Sequence, residues 1–166
     1  MRPGSERPGS QWSELFGSVA SRLTTGPRAD TERRAVGLAR PAPGEVVVFV
    51  GLGAAMGVHH AARLVQSGRV LGVDESVAMV DQALDRCRRW RILDRVELVR
   101  SPAYRLPWPA ASADAAIVGS GVLPAGPPAR WVAEVARVLR PGGRLVVTLN
   151  QRPGTRVPAG DVVGAL

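Results

Sequence analysis

Two groups of residues in this 166-residue chain could do chemistry together. The first is the run Val48-Phe49-Val50-Gly51-Leu52-Gly53-Ala54-Ala55-Met56-Gly57. A β-branched stretch that breaks into Gly-x-Gly ahead of a helix lets the backbone turn sharply and approach a ligand, while the helix N-terminus offers free N–H groups. Small residues at such a turn can also serve close packing alone. The second is Asp74, which ends Val70-Leu71-Gly72-Val73-Asp74-Glu75-Ser76. An acidic residue at the tip of a second strand, about 20 residues beyond the glycines, is placed to accept hydrogen bonds from ribose hydroxyls. Its alternative role is a helix cap or an ordinary surface Asp. Alone, the two signals also fit a nicotinamide dinucleotide enzyme, because Gly51, Gly53 and Gly57 give the spacing Gly-x-Gly-x-x-x-Gly.

No general base stands out. His59 and His60 are the only histidines. Adjacent on a helix, they point about 100° apart, so one metal ion could not easily use both. They read as helix-surface residues, and no metal site is expected. The single cysteine, Cys87, excludes an internal disulfide, and its mid-helix position suits packing better than nucleophilic attack.

The elements that must position these residues alternate. Val46 to Val50 is an unbroken apolar run, as a strand buried on both faces requires. Gly57 to Gln66 reads as a helix, Arg69 to Val73 as a second strand, and Ser76 caps a helix through Trp90. Val96 to Val99 and Ala115 to Val118 are further strands. Pro128 to Leu139 is a helix, Pro141-Gly142-Gly143 a tight turn, and Arg144 to Leu149 a fifth strand. This alternation implies a parallel sheet with helices on both faces. Residues 1–10 are rich in Pro, Gly and Ser and are expected to be disordered. Residues 11–40 hold two helices, Trp12 to Leu23 and Thr31 to Ala39, the latter with Asp30 as its cap; they are a candidate lid. Residues 41–150 are the main domain and 151–166 a short tail whose prolines and glycines discourage regular structure.

The formal charge is +8, with 22 basic residues that are all Arg. Charge of this kind speaks to solubility and non-specific binding. The densest group, Arg86, Arg88, Arg89, Arg91 and Arg95, falls on several helix faces and reads as a solvated helix end, so a nucleic-acid partner is not expected. No stretch approaches the roughly 18 apolar residues of a membrane helix, and the start lacks a signal-peptide core. A cytoplasmic location is the expectation.

The chain resembles class I S-adenosyl-L-methionine (SAM) dependent methyltransferases, in particular the ubiquinone/menaquinone-biosynthesis and type 11 group. The resemblance covers about residues 45 to 148. It is carried by Arg69 to Ser76 with Met79, by Leu106-Pro107-Trp108-Pro109 with Ser112-Ala113-Asp114, and by Val138-Leu139-Arg140-Pro141-Gly142-Gly143-Arg144-Leu145-Val146-Val147. It implies an α/β fold, a Rossmann-like three-layer sandwich with a mainly parallel sheet of order 3-2-1-4-5. The loop Gly51-Leu52-Gly53 would lie against the methionine part of SAM. Asp74 would hold the ribose, and Glu75, Ser76 and Met79 would flank ribose and adenine. Pro102 and Ala103 would meet the adenine edge, with Gly119, Ser120 and Gly121 beside the methyl group.

Some positions depart from the family pattern. Phe49 stands where an acidic residue is usual, removing a charge near the cofactor's amino group. Ala55 replaces a third glycine and would narrow the pocket. Ser101-Pro102 replaces another acid. The usual C-terminal hairpin is lacking, which leaves the fifth strand at a sheet edge open to a second copy or a partner, although residues 161–166 could give brief cover. The activity implied is methyl transfer from SAM to a small-molecule O, N or C nucleophile. Alternatives are a non-catalytic relative acting as a binding or partner subunit, and an NAD(P)-dependent oxidoreductase.

Overall fold

The computed structural model describes residues 27–119, 128–148 and 162–165. Helix α1 spans Pro27–Ala39 and is followed by β1 (Val46–Val50), α2 (Met56–Leu64), β2 (Arg69–Asp74), α3 (Val77–Trp90) and β3 (Val96–Arg100). Then come β4 (Ala113–Val118), α4 (Pro128–Val138), β5 (Leu139–Val147) and β6 (Val162–Ala165). The strands form one sheet in the order β3-β2-β1-β4-β5-β6. The first five are parallel and β6 is antiparallel to β5.

The unbroken apolar run of β1 is explained by its central place. Val47 and Phe49 face one core, with Val36 of α1, Val58 and Ala61 of α2, and Val80, Ala83 and Cys87 of α3. Val48 and Val50 face the other, with Val73, Val118, Trp108, and Trp131, Val135 and Val138 of α4. Side chains alternate along a strand, so a central strand of a three-layer sandwich must be apolar at every position. Each fully buried Val contributes roughly 1.5–3 kcal/mol of transfer free energy.

Helix α3 begins at Ser76, whose hydroxyl accepts the Met79 N–H at 3.4 Å, and it buries Met79, Val80, Ala83 and Cys87 at helical spacing. Helix α1 starts at Pro27 rather than after Asp30, which lies within its first turn; proline suits a first helical position because its missing N–H has no partner there anyway. Ala35, Val36 and Ala39 of α1 are buried in the first core. The Arg144 guanidinium donates to the Ala39 carbonyl at 2.7 Å, satisfying an orphan group at the end of α1. The expected helix at residues 12–23 lies outside the described residues.

The bare fifth-strand edge is corrected by the structure. Strand β6 pairs with it from Arg144↔Ala165 to Val147↔Val162. Four residues suffice because the unpaired backbone groups of β5 gain partners, which outweighs the weak strand propensity of a short segment containing Gly164. The edge that would have received a partner is therefore taken within the chain. Among the described residues no helix is long and apolar enough to cross a membrane.

Candidate functional site

In open α/β sheets the ligand crevice lies beyond the carboxyl ends of the strands, where the strand order reverses. Here the order reverses between β1 and β4. The loop after β1 turns on Gly51 at φ 85° and Gly53 at φ 51°, left-handed conformations open to glycine at little cost. Gly119 follows β4 and comes so near that a Cβ on it would stand 3.2 Å from the Gly51 carbonyl oxygen.

Asp74 ends β2 and ties these pieces together. One carboxylate oxygen accepts the Leu52 N–H at 3.0 Å and the other the Ser76 N–H at 3.0 Å. Burial holds the Asp74 carboxyl above its ordinary range, opposed by the Leu52, Ser76 and Glu75 N–H groups. Glu75 is raised by burial and by the Asp74 charge, while the Ala103 N–H donates to it. The Ser101 N–H donates to the Asp74 carbonyl at 3.1 Å, which brings the loop carrying Pro102 and Ala103 to the same strand end. Gly51, Leu52, Asp74, Glu75, Ser76, Met79, Pro102, Ala103 and Gly119 are thus brought to one end of the sheet. Leu52 presents only its backbone at this strand end, since its side chain is buried in the core against Gly72. Ser120 and Gly121 lie outside the described residues.

Ala55 has φ 58° and is buried in the first core. Its methyl is enclosed in that core. The consequence of alanine here is left-handed strain, roughly 1–2 kcal/mol.

One residue at the loop was missed by sequence reasoning. Glu32, on α1, reaches the loop from 22–25 residues away. Its carboxylate accepts the Ala54 N–H at 2.7 Å and the Gly57 N–H at 2.9 Å. Burial raises its pKa, opposed by the Gly57, Ala54 and Met56 N–H groups and the Arg86 charge. Arg86 in turn donates to the Ala54 carbonyl. One member of the arginine group is therefore fixed on the glycine loop, while Arg88 and Arg95 pair with their neighbours Asp85 and Asp94. No local pattern announces Glu32, because its partners come from a distant segment.

The histidines lie on α2, beyond the glycine loop. His59 stacks on Trp90 with ring centroids 4.5 Å apart, and burial lowers its pKa, with Arg63, His60 and Arg33 adding to the effect. A cleft of about 520 Å³ lined by Arg33, Met56, His59, His60, Arg63 and Leu64 holds none of the residues expected at the cofactor. Cys87 is fully buried and its thiol is pushed up to about 11 by burial, which suits packing. Among the described residues no group of three His, Cys, Asp or Glu is placed to hold a metal ion.

Other resembling segments are structural. Asp114 accepts the Val46 N–H at 2.8 Å and pairs with Arg140 at 2.5 Å, at the amino ends of β1 and β4. Arg137 clamps the loop of Leu106 to Pro109 by donating to the Leu106 and Trp108 carbonyls, while Glu134 accepts the Leu106 N–H.

A doubly wound sheet with a glycine turn after β1 and a carboxylate at the tip of β2 defines a Rossmann-like cofactor-binding domain. Residues 48–147 match the family described as methyltransferase domain, of type 11, and the chain belongs to it: it is a class I SAM-dependent methyltransferase domain. It is 40% identical over 106 residues to an uncharacterised 37.1 kDa protein in transposon TN4556 of Streptomyces fradiae, covering 63% of this chain and 30% of that protein. It is 34% identical over 86 residues to a demethylmenaquinone methyltransferase of Lactiplantibacillus plantarum, covering 52% of this chain and 36% of that enzyme. The chain thus spans about a third of the length of these two relatives. A SAM-dependent methyltransferase from Aquifex aeolicus shares the fold, with a TM-score of 0.71 at 21% identity over 86% of this chain and 78% of that one.

Proposed function

We propose that this chain binds SAM at the carboxyl ends of β1, β2 and β4 and transfers its methyl group to a small-molecule O, N or C nucleophile. The observation that carries the reading is Asp74, a half-buried carboxylate tied to the glycine loop through the Leu52 N–H, in a chain of the methyltransferase family. The residues present fit the cofactor. Asp74 already accepts the Leu52, Ser76 and Glu75 N–H groups on its two oxygens, and of the roughly four lone-pair sites of a carboxylate one remains for a ribose hydroxyl. Pro102, half-buried, would offer apolar surface to adenine beside the buried Met79 and Ala103, and Gly51 and Gly53 would let the backbone approach the methionine part. Similarity to a demethylmenaquinone methyltransferase favours a small-molecule acceptor.

SAM, when bound, supplies an electrophilic methyl on a sulfonium sulfur. The chain's contribution is positioning: alignment of a nucleophile that is already reactive accelerates such a transfer without a general base. Gly119, at the end of β4, marks the side from which the acceptor would approach.

Isothermal titration with SAM, S-adenosylhomocysteine and NADH tests the reading. Binding of either SAM compound and none of NADH is expected. Binding of NADH alone would overturn it.

A further inference from the structure

The helix that follows a glycine turn carries roughly half a positive charge at its N-terminus, and in dinucleotide-binding sheets the pyrophosphate sits there on free N–H groups. In this chain those groups are not free. Glu32 holds the Ala54 and Gly57 N–H groups with its two carboxylate oxygens, and the Met56 N–H also donates to it. Helix α2 has no side-chain cap of its own at Ala55 and no acidic residue in its first turn. Glu32 is therefore the full negative charge at that helix end.

We propose that Glu32 is the specificity-determining residue of the cofactor site, excluding pyrophosphate-bearing nucleotides and favouring a cofactor that presents an ammonium group instead. The inference rests on the reading of this loop as the SAM site. Its carboxylate takes the donors a pyrophosphate would need and repels its charge. Its Oε1 also lies directly against Gly53, so a Cβ there would collide with it. Gly53 is the residue assigned to the methionine part, whose amino group is cationic.

The same geometry accounts for Phe49. A Cβ on Gly57 would come within 2.8 Å of the Phe49 ring, so position 49 lies directly under the N-terminus of α2. An acid at that position would face the helix end from below; Glu32 supplies the charge from α1 instead. Arg86 is the cation that faces Glu32, and it is engaged with the Ala54 carbonyl. Removing the Glu32 charge would leave Arg86 and three N–H groups together, a combination suited to phosphate.

The test compares S-adenosylhomocysteine with ADP by titration calorimetry on the parent, Glu32→Gln and Asp74→Asn. The parent should bind S-adenosylhomocysteine and show no binding of ADP. Glu32→Gln should lose at least tenfold in affinity for S-adenosylhomocysteine and bind ADP measurably. Asp74→Asn, which touches the ribose common to both ligands, should leave ADP unbound. Parallel weakening in Glu32→Gln without any gain of ADP, or unchanged binding, would reduce Glu32 to a helix cap and overturn the proposal. A parent that binds neither SAM compound would overturn the cofactor reading, while gain of ADP binding in Glu32→Gln would still support exclusion by Glu32. If Glu32→Gln does not fold, Glu32→Asp keeps the charge and should still reject ADP; ADP binding by that variant as tight as that of S-adenosylhomocysteine would overturn the proposal.

Discussion

The carboxylate of Asp74 lies 3.0 Å from the Leu52 backbone nitrogen, joining the tip of β2 to the glycine loop after β1 across 22 residues. This bond makes Asp74 both a candidate ligand group and a strut. Asp74→Asn retains one acceptor oxygen but turns an NH₂ toward part of the set of backbone N–H groups, those of Leu52, Ser76 and Glu75, that the carboxylate accepts. S-adenosylhomocysteine affinity should fall by about 1.5–3 kcal/mol, roughly 10- to 150-fold. Apo stability should fall by about 1 kcal/mol from the unsatisfied donor. Calorimetry and a urea melt read the two effects separately. Unchanged affinity would remove Asp74 from the site.

Gly57→Ala should destabilise the protein, against the helix-propensity gain of roughly 0.5–1 kcal/mol that alanine usually brings. Its Cβ would press on the Phe49 ring at 2.8 Å and on the Glu32 Cβ at 3.4 Å. Overpacking of this kind costs about 1–3 kcal/mol. Phe49→Leu shortens the obstacle, so the double variant should recover part of the loss, a coupling between residues in contact. Thermal melts of the three variants decide it, and a Gly57→Ala protein as stable as the parent would show that the turn yields freely.

Cofactor affinity and apo stability should respond to acid in opposite directions through Asp74 and Glu32. Both carboxyls are raised by burial from ordinary values of 3.8 and 4.5. The folded state therefore binds their protons more tightly than the unfolded state. Their contribution to stability is complete below those unfolded values and is lost as pH rises through the folded pKa. Ionised Asp74 is the form that best holds a ribose hydroxyl. Affinity for S-adenosylhomocysteine should thus drop as pH falls from neutrality through the raised pKa, and Asp74→Asn should flatten that profile. Calorimetry at constant ionic strength checks this; a parent profile as flat as that of the variant would contradict it.

Much of the fold was legible because its signals are local. The run from Val46 to Val50 announces a strand buried on both faces, and Ser76 with the spacing of Met79, Val80, Ala83 and Cys87 announces α3 and its cap. The site was legible in part for the same reason: glycines at a turn and an acid at a strand tip are short-range patterns. Strand β6 was harder to read, because four residues beside a proline- and glycine-rich stretch owe their extended form to the edge they cover. Glu32 and Arg86 were illegible in sequence. Each meets its loop partner across 22 residues or more, and charged helix positions ordinarily face solvent. The enclosure of the Ala55 methyl goes with a left-handed φ that residue type alone does not signal.

The ties of Asp114 to Val46 and Arg140, and of Arg144 to Glu45 and Ala39, gather at the amino ends of the strands. Asp74, Gly51 and Gly119 gather at the carboxyl ends. Changes at one pole share no partners with changes at the other, so their free-energy effects should add. A lineage, or an engineer, can then explore new acceptors at one end of the sheet while drawing reserves of robustness from the other.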